Sequence, residues 1–176
     1  MAPAQSDTHI FDHIEERDYT GLELLEKWTV PTACVVLRTE FVSKIPVNKD
    51  FWREDIICWL TMASYGKIHA FSREMSTYRI LETGAVFTLY RQDFKMRIPK
   101  LKRHELALRE AFPAIISKAN CKEHIFLLDY QYWLGMKDAY GKWRSIMYLL
   151  SLSPLLQIKI LIYYLKYRRK VQCISR

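Results

Sequence analysis

The sequence predicts an α/β chain in which a few short strands and one amphipathic helix precede a mainly helical C-terminal section. Three observations carry this. Residues 32–38, TACVVLR, form a nearly continuous apolar run with β-branched residues, the pattern of a strand buried on both faces. Trp52, Ile56, Trp59, Leu60 and Ala63 recur at helical spacing. Beyond residue 89 the pattern turns helical, over roughly 90–112, 121–139 and 142–170, with breaks expected near Pro99, Pro113 and Gly141.

Taken in order, residues 1–9 are polar and expected to be loose. Thr20-Gly21-Leu22-Glu23 fits a capping box, and Leu22, Leu24, Leu25 and Trp28 supply an apolar face for a short helix that Pro31 stops. After the 32–38 strand, residues 44–50 hold Pro46 and Asn48 and read as a loop. The helix from Trp52 to Tyr65 carries Glu54 and Asp55 in its first turn, where the helix dipole favours negative charge. Gly66 stands just past its C-terminus. KIHAF (67–71) and MSTYRI (75–80) read as two short strands.

The chain has 176 residues, half of them apolar, enough for one core and too apolar for global disorder. Its net charge of +8 is unevenly placed. All 19 acids lie at or before Asp138, and residues 1–141 are formally neutral. The excess belongs to Lys142, Arg144, Lys159, Lys166, Arg168, Arg169, Lys170 and Arg176. A basic tail whose cations alternate with aliphatic residues is a poor nucleic-acid footprint, and no nucleic-acid partner is expected. Cys34, Cys58, Cys121 and Cys173 are widely spaced, with no C-x-x-C pair. Neither a disulfide framework nor a zinc site is expected, and a reducing cytoplasm is the default. The N-terminus carries no apolar signal-peptide region. His9 and His13 are four apart, but in a polar segment that offers a metal little. Cys58 reads as a core thiol, and Tyr130, Tyr132 and Trp133 as a helix packing face or a partner surface.

Taken alone, Glu54–Asp55 is ordinary decoration of a helix start. The series around it resembles the C-terminal half of the catalytic domain in family 2 glycosyltransferases, inverting enzymes of the A-type fold that use nucleotide sugars. PTACVVLR occupies 31–38, Asp55 stands eleven residues before the glycine of Gly66-Lys67-Ile68, and MSTYRI occupies 75–80. The resemblance covers about residues 10–90 and implies a partial A-type fold. It makes Asp55 the general base that deprotonates an acceptor hydroxyl, with Glu54 as alternative base or orienting neighbour. It places Arg79, Tyr78 and Arg38 at the substrate, Arg79 as a cation for the leaving diphosphate or paired with a nearby carboxylate. Leu81 stands where many members carry His. The V-P-x-Y-N, D-D-x-S and D-x-D elements of the donor-binding half do not occur here. The nucleotide-sugar donor and a divalent Mg or Mn are therefore expected only with that missing half, and this chain is not expected to transfer sugar alone.

Residues 91–141 make a helical section, and 142–176 a basic amphipathic tail. Lys159, Lys166 and Lys170 can share a helical face opposite Ile158, Leu161, Ile162 and Leu165. That suits a helix lying on an anionic membrane surface at the cytoplasmic side, although a helix packed on a partner fits as well. A span is disfavoured by Pro154 and Lys159 near its middle. The expected partners are a sugar or lipid-linked acceptor in surface polysaccharide assembly, a donor-binding half or a second copy, and that membrane surface. The competing reading is a non-catalytic membrane-surface interaction protein that keeps the fold remnant.

Overall fold

The computed structural model of the chain describes residues 15–27, 34–73 and 93–174, with side chains as far as Tyr167. It is mostly helical with one small sheet. The elements are strand β1 (Arg17–Tyr19), helix α1 (Gly21–Lys27), a 3-10 helix (Thr39–Lys44), α2 (Glu54–Tyr65), β2 (Ile68–Ala70), α3 (Phe94–Ala111), α4 (Lys118–Leu150) and α5 (Pro154–Ile174). Two compact units form: Met1–Arg91 with Arg103–Cys121, and Gln92–Lys102 with Lys122–Arg176.

In the first unit the capping box closes as expected. The Thr20 amide donates to Glu23 Oε2 at 2.9 Å and the Glu23 amide to Thr20 Oγ1 at 3.3 Å, so two amides that the first turn leaves unpaired are satisfied. Gly21 is needed for room, because a Cβ there would meet Ile115 Cδ1 at 2.8 Å and Ala63 Cβ at 3.2 Å. Helix α2 buries Ile56, Trp59 and Leu60 of the face its periodicity marked, together with Ile57 and Thr61, while Trp52 and Ala63 are half-buried. The Gly66 amide donates to Met62 O in extended backbone and ends the helix. Phe41 of the 3-10 helix stacks on Tyr65 with centroids 5.1 Å apart, and Lys44 Nζ lies 4.1 Å over the Tyr65 ring.

The sheet differs from expectation. Its two strands are antiparallel, with Arg17 opposite Ala70, Asp18 opposite His69 and Tyr19 opposite Ile68. Residues 35–38 form no strand, and Val36 is 98% exposed. An apolar run becomes a buried strand only when neighbours cover both faces and take its backbone hydrogen bonds; among the described residues the one pairing available joins β1 to β2. MSTYRI, with Tyr78 and Arg79, lies outside the described residues, as do Trp28, His9 and His13.

In the second unit α4 packs against α5 around Tyr130, Trp133, Leu149 and Ile160, with Phe126, Tyr148, Tyr163 and Tyr164 against them. Trp133 Nε1 donates to Ser145 O at 3.2 Å. The expected break at Gly141 is real, with φ of +79° inside α4. Pro99 does not break α3. It sits early in the helix, behind a start held by Asp93, whose carboxylate accepts the Lys95 amide at 3.0 Å, and its missing amide removes one bond. The 142–170 helix is split instead by a turn before Pro154, which opens α5 at the position where proline lacks nothing a helix needs.

Candidate functional site

Loop 45–53 delivers the acidic pair to the head of α2, and four contacts fix it. Asn48 Oδ1 accepts the Asp50 amide at 3.0 Å. Arg103 Nε reaches Asp50 Oδ1 at 3.6 Å. The Trp52 amide donates to His104 Nδ1 at 3.2 Å, and Phe51 meets the same imidazole edge-on at 6.2 Å. Helix α2 then begins at Glu54, which is exposed, followed by Asp55, which is partly buried.

Asp55 Oδ1 accepts the amide of Ile56 at 2.9 Å, and among the described residues no cation pairs with its carboxylate. With no ion pair among the described residues, that carboxylate is open to a further hydrogen-bond donor. One turn on, the Cys58 thiol is pushed up, first by burial and then by the Asp55 and Glu54 carboxylates. Burial and the two carboxylates disfavour the thiolate, and Cys58 lies half-buried beside the core rather than within it. Arg38 is exposed, and its one ion pair among the described residues is a long 3.8 Å contact with Glu40. Over residues 35–38 the strand that the resemblance would set beside Asp55 is not formed.

His104 went unmarked in the sequence. It is 0% exposed on α3, and burial lowers its imidazole below the ordinary 6.5. With Nδ1 accepting, the proton sits on Nε2, which is buried without a hydrogen-bond partner. The signal was available: Ile98, Leu101, Ala107 and Leu108 set an apolar register that includes position 104. On the open face of the small sheet Asp18 accepts from two groups, His69 Nδ1 at 2.9 Å and Lys67 Nζ at 2.9 Å. In the second unit Ile98, Pro99, Lys102, Asp129, Tyr132 and Tyr148 line a cavity of about 360 Å³. Lys102 and Asp129, paired at 2.7 Å, belong to its lining, and burial raises the Tyr148 phenol to about 12, with help from the Asp129 carboxylate.

No family model, curated protein or solved structure matches this chain. Among the described residues no three His, Cys, Asp or Glu side chains gather to hold a metal. No helix among the described residues is long and apolar enough to cross a membrane.

Proposed function

We propose that this chain is the acceptor-side half of an inverting, nucleotide-sugar-dependent glycosyltransferase, of the hexosyltransferase type, serving surface polysaccharide or glycan synthesis. The observation that carries the reading is Asp55 itself. Its carboxylate opens a helix, pairs with no cation among the described residues, and precedes a glycine stop and a short strand in the order the resemblance requires. In this role Asp55 takes the proton of an acceptor hydroxyl as that oxygen attacks the anomeric carbon, opposite the departing diphosphate. Glu54, one position earlier and exposed, is the lesser candidate. Arg79 and Tyr78 keep their place in the proposal by resemblance alone, as does Arg38. The nucleotide sugar and its metal would be held by a separate donor-binding half.

The test supplies that half by fusion or in trans. Asp55→Asn should lower turnover about 10²–10⁴-fold, the usual contribution of a general base, while donor affinity stays near that of the parent. Glu54→Gln should cost much less. Equal losses from the two changes, or a reconstituted enzyme indifferent to Asp55→Asn, would overturn the reading. A second reading, a non-catalytic membrane-surface interaction protein, is favoured by the missing 35–38 strand, since the substrate cleft would be built on it.

A further inference from the structure

Helix α5 carries two apolar stripes. The inner one, with Leu156, Ile160, Tyr163 and Tyr164, belongs to the core of the second unit, where Ile160 is 0% exposed. The outer one runs Leu155, Ile158, Ile162 and Leu165, spaced three, four and three residues apart, with exposures of 67%, 55%, 60% and 69%. A helix apolar on both sides is normally covered on both. On the last turns of α4, Trp143, Met147 and Leu150 add a further exposed stripe at 82%, 67% and 62%. Contiguous apolar surface of this kind marks an interaction site.

Charge selects the occupant. In sequence this unit holds fourteen Lys and Arg against four acids, whereas the rest of the chain holds thirteen against fifteen. Lys159 follows Leu155 by four residues and precedes Ile162 by three, and Lys166 follows Ile162 by four. Both therefore lie along the edge of the outer stripe, not opposite it as the sequence pattern suggested; the opposite side is the core. Both are exposed, and Lys166 Nζ lies 5.4 Å over the Tyr167 ring. An apolar stripe edged with lysines fits a surface that offers acyl chains below and anionic headgroups beside them, which the long lysine stems can reach. A second copy would bring two strongly positive faces together. Nucleic acid would leave the aliphatic stripe uncovered. We infer that α5 docks by its Leu155–Ile158–Ile162–Leu165 stripe into the interface of an anionic lipid membrane, with Lys159 and Lys166 on the headgroups. This holds whether or not Asp55 is a catalytic base.

The full chain is floated with vesicles of phosphatidylcholine alone and of phosphatidylcholine with phosphatidylglycerol. Binding is expected on the anionic vesicles and should weaken as salt rises. Lys159→Gln with Lys166→Gln should weaken it by roughly 30-fold, about fivefold per lysine removed. Ile158→Ser with Ile162→Ser should also weaken it on the same vesicles, with the circular dichroism melt unchanged. Leu165→Ser alone repeats the test should the double change alter the melt. Equal binding to neutral vesicles, no binding to anionic ones, or stripe variants that bind like the parent would overturn the inference. So would a stable dimer in solution that the stripe variants dissociate while vesicle binding persists, which would give the stripe to a second copy.

Discussion

The main-chain amide of Trp52 donates to Nδ1 of His104, 3.2 Å away and 52 residues along the chain. This one bond ties the loop that precedes the acidic pair to helix α3. It also sets the tautomer of a histidine that has no other hydrogen bond among the described residues, since Nε2 is buried without a partner.

Replacing that imidazole should therefore be felt at the head of α2. His104→Ala leaves a cavity and takes away the Nδ1 acceptor of the Trp52 amide, and should destabilise the chain by about 2–4 kcal/mol in urea unfolding. The folded-state value of His104 is lowered, so the unfolded chain takes up its proton first as pH falls. Its contribution is complete above the ordinary 6.5 and is lost progressively below it. The mutant should lack that part of the decline on the acid side.

The capping box has its own acid limb. Hydrogen bonds from the Thr20 amide and hydroxyl, with Arg17 beside them, hold the Glu23 carboxyl down at about 2 from the ordinary 4.5. A depressed carboxylate stabilises fully above the ordinary value and loses its effect as pH falls towards the folded one. The cap should therefore weaken between pH 4.5 and about 2, which a carbon-detected titration of Glu23 would follow. Thr20→Ala removes the other half of the box and should cost about 1 kcal/mol.

Tyr148 reports on the cavity in the second unit. Its phenol is raised to about 12, by burial first and then by the Asp129 carboxylate. The neutral phenol is the favoured form, so its contribution is intact below the ordinary 10 and is lost as pH rises through about 12. In a spectrophotometric titration, Asp129→Asn should bring this late tyrosine part of the way back. It should also destabilise the fold, because Lys102, 2.7 Å from Asp129, loses its counter-charge.

Gly141 holds φ at +79°, where a side chain is strained although nothing lies within 4 Å of a Cβ there. Gly141→Ala should cost about 1 kcal/mol through backbone strain alone, read as a lower melting temperature. A neutral or stabilising result would show that α4 straightens through this point.

What lay open in the sequence were the features set by residues a few positions apart. The Thr20–Glu23 box, the α2 face, the stop at Gly66, the ends near Pro113 and the break at Gly141 all follow from local hydrogen bonding, helical periodicity or the freedom of glycine. Asp55 could be placed in the first turn of α2 for the same reason. Features that depend on a distant partner were not legible. Residues 35–38 have the composition of a buried strand, yet composition cannot supply the neighbours that would bury it, and β1 pairs with β2 instead. The register of α3 could set His104 inward, but not show that the loop at Trp52 closes over it and donates to its Nδ1. Lys159 and Lys166 were visible as a pair two turns apart, but which stripe of α5 faces the core was decided by Tyr130 and Trp133 of α4. Only that packing turned one apolar side of the helix inward and left the other, with its lysines, outside.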